Sequence, residues 1–262
     1  MKKIIMYLLI TFVISWGCWF TVAAMHIDNV NESPFFALYV LGIFGPPIAA
    51  FATKIFYGDK IEFKQFLKQF VRVKVNIVWY LWIAFMPLVI IFLPWLVNFI
   101  ITGKQQLIIQ QPLYMILALI PAHIIGGGLE EPGWRGMLLP ELLKKLRVSA
   151  SICIISAIWA IWHIPLWFIK GSSQYGTNFP VFAAMVLSFN AILCILYIQT
   201  KSILLCILIH SLMNSYMAFF STPCTTVFSR AVYIAAQLLI VTVILIAFSK
   251  RIPDCRESIR KL

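Results

Sequence analysis

Long apolar runs separated by short polar stretches, most of them basic, cover this chain from end to end. Eight such runs can be marked, at roughly 4–25, 35–56, 77–101, 112–130, 149–169, 179–199, 203–220 and 229–249. Each is close to the ~20 residues that an α-helix needs to cross about 30 Å of hydrocarbon. A transmembrane β-barrel would instead alternate apolar and polar residues over short segments. The pattern therefore predicts an all-α integral membrane protein of about eight transmembrane helices. No internal repeat, linker or low-complexity stretch divides it, so residues 1–262 read as a single multi-pass membrane domain.

The fourth run behaves differently from the rest. Pro112 to Leu143 is too long for one straight span, and Gly126-Gly127-Gly128 and Pro132-Gly133 offer places to bend. A broken fourth helix is expected, lining an intramembrane cavity. Non-helical backbone at that depth is tolerated only where protein or a wet cavity satisfies it. Two further stretches, Ile61–Val75 and Met137–Leu146, mix apolar and basic residues at helical spacing. The first reads equally as an amphipathic surface helix or a solvated basic loop; the second reads similarly.

Composition supports this picture: 62% of residues are hydrophobic and 11% charged, against about 25% charged in soluble domains. The net charge of +12 finds its explanation in orientation. With both termini placed inside, all but Lys104, Lys170 and Arg230 of the 21 Lys and Arg residues fall on the cytoplasmic side. No aromatic-basic groove points to nucleic acid. Met1–Phe20 has a basic start without a small-residue cleavage pattern, and reads as a retained first span. The six cysteines lack CxxC spacing and behave as small hydrophobes.

The candidate chemistry sits at the break. Glu130-Glu131-Pro132-Gly133-Trp134-Arg135 places two carboxylates and a guanidinium beside a long apolar run. A carboxylate in a membrane helix costs about 2.5–3.5 kcal/mol, so such groups mark functional sites by default; the alternative is a buried ion pair that only fixes packing. His163 closes Trp159-Ala-Ile-Trp-His163, and His210 and Asn214, four residues apart, share a helix face. A glutamate can take a proton from water, histidines can hold that water, bind a metal or protonate a leaving amine, and an asparagine amide can donate to an oxyanion. Together these groups describe hydrolysis of an acyl bond, a peptide bond foremost. His123 reads as a helix–helix hydrogen-bonding residue.

These residues carry a resemblance. Glu130-Glu131-Pro-Gly-Trp-Arg135 is similar to the EExxxR motif of the CPBP family of CAAX proteases and bacteriocin-processing enzymes. Trp159-xxx-His163 resembles its FxxxH motif with tryptophan for phenylalanine, and His210-xxx-Asn214 its HxxxN/D motif. The three cover about 112–215, the expected catalytic core. The resemblance implies an intramembrane endopeptidase related to the type II CAAX prenyl endopeptidases, acting on a membrane-associated peptide or protein. Its site would open to the cytoplasm. Glu130 would activate water, His163 would help hold it, His210 and Asn214 would form the oxyanion site, and Glu131 and Arg135 would support the motif. The EEPGWRG form resembles bacterial, cell-membrane members associated with peptide maturation and bacteriocin immunity. The family leaves metalloprotease and metal-free readings open. Glu130, His163 and His210 are the candidate zinc ligands, although they lack HExxH pairing. The rival functions are a non-proteolytic immunity or scaffold factor and a proton-coupled transporter. The absence of a mirrored broken segment counts against the transporter.

Overall fold

The structure, a computed structural model, describes residues 1–104 and 106–248. The basic tail that was expected on the cytoplasmic side (Lys250, Arg251, Arg256, Arg260, Lys261), with Cys255, lies outside the described residues.

The apolar runs become helices at nearly the expected places: α1 (Lys2–Ala24), α2 (Phe36–Ile43), α3 (Gly45–Tyr57), α4 (Lys60–Lys68) and α5 (Ile77–Thr102). After the two-residue strand β1 (Ile108–Ile109) come four short helices, α6 (Met115–Ala118), α7 (Ile120–Ile125), α8 (Glu131–Gly133) and α9 (Leu139–Leu143). The chain closes with α10 (Val148–Trp162), α11 (Phe179–Thr200), α12 (Ile203–Phe219), β2 (Phe220–Ser221), which pairs antiparallel with β1, and α13 (Val227–Phe248).

Among the described residues, five helical segments are long and apolar enough to cross a membrane: α1, α5, α10 with its 3₁₀ extension (Val148–Phe168), α11 and α13. The pair α2–α3, bent by 47°, makes a sixth if taken as one span. The protein is thus a multi-pass, mostly helical membrane protein. Two of the eight expected spans take another form, for local reasons. Helix α12 has 17 residues, about 25 Å at 1.5 Å per residue. The run from 112 is interrupted repeatedly: Pro121, Pro132 and Pro140 each stand in the first turn of a new short helix, where a missing N–H costs nothing. Between α8 and α9 the backbone makes a π-helical turn over Trp134–Leu138, a widening that recurs at functional sites.

Helix α11 is the centre of the bundle, buried on nearly every side from Ser188 to Ile198, with α10, α12, α13 and α5 packed around it. Lipid tails are as apolar as leucine, so close approach and polar contacts hold such helices together. Helix α1 shows both, the close approach against α3 and the polar contact against α2. A Cβ on Gly45 would collide with Ser15 Oγ, and Ser15 Oγ donates to the Gly42 carbonyl at 2.6 Å.

Apart from Glu130, Glu131 and Arg135, which are buried, ion pairs among the described residues lie at two ends. At one, Lys3 pairs with Glu62 (2.8 Å) and Lys144 with Glu141 (2.6 Å), and Lys54 and Lys201 line the same shallow cavity. About 34 Å along α1 (23 residues, 1.5 Å each), Asp28 pairs with Lys170 at 3.0 Å. Ile61–Val75 contains helix, not only loop: Asp59 caps α4 by accepting from the Ile61 and Glu62 amides, and Phe66 is buried against Phe51 and Phe70. The Met137–Leu146 stretch differs from the surface helix expected, because Met137, Leu138, Leu139, Leu142 and Leu143 are all buried.

Candidate active site

Glu130 ends a 3₁₀ turn (Gly128–Glu130) and Glu131 opens α8. That change of helical form separates two neighbouring carboxylates into different surroundings. Glu130 is buried, and its Oε2 accepts from two indoles, Trp134 Nε1 at 3.1 Å and Trp159 Nε1 at 2.7 Å. Glu131 is fully buried, and its Oε1 accepts from Arg135 Nη1 at 3.0 Å and His210 Nδ1 at 2.7 Å. The Glu131–Arg135 pair follows the i,i+4 spacing expected from the sequence.

Arg135 has no exposure and is held from three directions. Besides Glu131, its Nη2 donates to Asn190 Oδ1 at 2.7 Å, and its guanidinium stacks 4.7 Å from the centroid of the Trp159 ring. Asn190 in turn donates to the Ile152 carbonyl and to Ser156 Oγ. One polar chain therefore ties the motif to α11 and α10. A planar guanidinium that pairs and stacks at once is a task lysine cannot fill.

The histidines are oriented by acceptors. His163 Nδ1 donates to the Trp159 carbonyl at 2.8 Å, and His210 Nδ1 donates to Glu131. A carbonyl and a carboxylate only accept, so in the neutral rings both Nδ1 atoms carry the proton and both Nε2 atoms offer a lone pair. Trp159 links the parts: its indole holds Glu130, its carbonyl holds His163, and its ring lies 5.4 Å from His210. Phe189 also packs against His210, with ring centroids 5.3 Å apart. His123 takes the helix-joining role expected of it, with Nδ1 2.9 Å from Ser215 Oγ across α7 and α12.

His210 and Asn214 face the same spot, as their spacing requires. A Cβ built on Gly127 would run into Asn214 Nδ2 and lie 2.9 Å from His210 Nε2. The bare glycine leaves that space to whatever the two side chains bind. Gly127→Ala is expected to lower turnover about 10²-fold, since shifts near 1 Å at a reacting centre cost that much, while the melting temperature stays close to wild type. A variant with full activity would show that this space is not used.

A metal requires its ligands to converge. Among the described residues no group of three or more His, Cys, Asp or Glu side chains is arranged to hold one. Glu130 presents Oε2 to two indoles, and Trp159 stands among all three residues.

Three contributors were not foreseen as polar partners. Trp159 and Trp134 count as apolar in a hydropathy sum, yet both donate to Glu130. Asn190 was passed over, although an asparagine midway along an apolar span is itself a polar signal.

Comparison with known proteins bears on this same region. Residues 111–216 match the family described as Rce1-like, type II CAAX prenyl endopeptidase. A curated relative, CAAX prenyl protease 2 of Methanococcus maripaludis, is 24% identical over 229 residues, covering 80% of this chain and 82% of that protein. Glu130, His163, His210 and Asn214 all lie inside the matched region, so the part of the chain that carries the candidate site is the part that is similar to the Rce1-like type II CAAX prenyl endopeptidases.

Proposed function

We propose that this protein is an intramembrane endopeptidase that hydrolyses a peptide bond of a membrane-associated peptide or protein. The observation that carries the reading is a buried carboxylate, Glu130, beside two histidines whose Nδ1 atoms are both committed to acceptors. In this scheme Glu130 removes a proton from a water that His163 Nε2 also holds by accepting its other hydrogen. The resulting hydroxide attacks the scissile carbonyl carbon. Asn214 Nδ2 and protonated His210, which keeps Nδ1 on Glu131 and donates through Nε2, stabilise the oxyanion. Glu130 returns its proton to the leaving amine as the C–N bond breaks. Glu131 and Arg135 hold His210 and the motif backbone in place.

The site serves a multi-pass protein of the cell membrane, with Met115–Leu143 as a discontinuous fourth of eight spans and about 112–215 as the catalytic core. The end bearing Lys3, Lys54, Lys144 and Lys201 is its cytoplasmic face. The positive-inside rule supports this, with one revision: Arg135 lies in the core and does not count toward it. Cysteines at positions 104 and 145 of a cysteine-free version are expected to label from opposite sides of the membrane, and labelling from one side would overturn the orientation. The activity itself is tested by mass analysis of membrane-protein and peptide candidates incubated with purified protein in detergent. Cleavage present in wild type and lost in Glu130→Gln supports the reading; cleavage equal in both removes it.

A further inference from the structure

We infer that Trp134 and Trp159 are positioning residues for the reaction: their indole N–H groups occupy Glu130 Oε2 and so make Oε1 the oxygen that takes the proton from water. The inference deepens the peptidase reading above and rests on it.

Both N–H groups end on one atom. Trp134 Nε1 reaches Glu130 Oε2 at 3.1 Å and Trp159 Nε1 reaches it at 2.7 Å. A carboxylate oxygen offers two lone pairs, so the two indoles fill Oε2. Glu130 Oε1 makes no hydrogen bond among the described residues. The neighbouring carboxylate is arranged otherwise. Glu131 Oε1 accepts from Arg135 and His210, and Glu131 Oε2 is sealed without a hydrogen-bond partner among the described residues. Glu130 Oε1 is not one of the sealed atoms, and the residue keeps 4% of its surface exposed. Of the diacid's oxygens, Glu130 Oε1 alone is both unengaged and open.

An indole N–H donates and cannot accept. That decides where a proton can reside. On Oε2 an O–H would have to displace one of the two donors and would find no acceptor in its place. On Oε1 it leaves both indole bonds intact. The same two bonds therefore serve before and after transfer. Water loses one O–H bond, Oε1 gains the proton, the hydroxide attacks the carbonyl carbon, and Oε1 later passes the proton to the leaving amine.

The indoles are themselves held. Trp134 has no exposure, and its ring meets Tyr7 and Trp162 edge to face, with centroids 5.9 and 5.8 Å away. Trp159 packs against the Arg135 guanidinium at 4.7 Å and the Phe189 ring at 6.1 Å. Burial alone does not account for their bonds: the Nε1 atoms of Trp82, Trp95 and Trp162 are buried without a hydrogen-bond partner among the described residues. Nor does the FxxxH pattern supply the second donor, since phenylalanine has no N–H. The bond from Trp159 is a property of this chain.

Replacing Trp134 and Trp159 singly, by phenylalanine and by the isosteric benzothienylalanine, separates the bond from the bulk, because sulfur there stands in place of the N–H. Each replacement is expected to lower kcat by about 10- to 10²-fold, as displacement at a reacting centre does, with KM little changed. A benzothienylalanine variant at either position that melts like wild type and turns over at the wild-type rate overturns the inference. A second readout needs no substrate. In protein with isotope-labelled indoles, the Nε1–H resonances of Trp134 and Trp159, assigned from the phenylalanine variants, are expected to move in Glu130→Gln, while indoles remote from the site stay in place. Resonances of this pair that ignore the substitution also overturn it. If wild-type protein cleaves nothing, the peptidase reading fails and takes the inference with it. Wild-type cleavage beside an unaffected analogue variant removes the inference alone.

Discussion

Glu130→Gln is expected to abolish turnover, by 10²–10⁴-fold or more if proton transfer is its main contribution, and to leave the melting temperature near that of wild type. The structure gives the reason for the second half. Glu130 Oε2 accepts from Trp134 and Trp159 and from nothing charged. A glutamine carbonyl has two lone pairs and can accept both indole N–H groups in the same place. The substitution therefore removes the base while conserving shape and both hydrogen bonds. Turnover on any cleaved peptide and thermal unfolding, measured in one detergent, decide the matter. Substantial residual cleavage by a well-folded Glu130→Gln protein would sink the assignment of the base.

Glu131→Gln is expected to fail in the opposite manner, losing stability first. Glu131 and Arg135 have no exposed surface, and their contact is the one ion pair between fully buried side chains among the described residues. Removing one partner of such a pair typically costs about 3–5 kcal/mol, because the other charge is left buried without compensation. Arg135 would keep Asn190 and the face of Trp159 but lose its counter-charge. Pairing Glu131→Gln with Arg135→Met should recover part of the loss, since the unpaired charge is then gone. If Glu131→Gln instead melts like wild type and is inactive while Glu130→Gln still turns over, the roles of the two glutamates are exchanged.

Much of this site was legible because membrane sequence is sparing with polar residues. Glu130, Glu131, Arg135, His163, His210 and Asn214 stand out against apolar runs, and helical spacing alone pairs Glu131 with Arg135 and His210 with Asn214. The spans were legible for the same reason, and most helix ends fall within two residues of the expected ones. Sequence was less informative where tertiary contact decides the role of an amphipathic side chain. An indole counts as apolar in a hydropathy sum, yet the Nε1 atoms of Trp134 and Trp159 hold the carboxylate. Asn190 acquires meaning only when α11 is packed against the motif, 55 residues away in the chain. Nor could periodicity show that Met137–Leu143 is enclosed on all sides, since a surface helix carries the same pattern until another layer covers it.

The polar chain from Glu131 through Arg135 to Asn190 also has a consequence for how the protein is made. Arg135 meets Asn190 55 residues later and Glu131 meets His210 79 residues later. At about 5–20 residues per second of synthesis, those partners emerge several seconds after the motif. A charged group at mid-membrane costs about 2.5–3.5 kcal/mol on the insertion scale, and for that interval the motif has none of its distant partners. The segment that carries the candidate site is therefore the one least able to settle in the bilayer by itself, and the later helices complete it as they arrive.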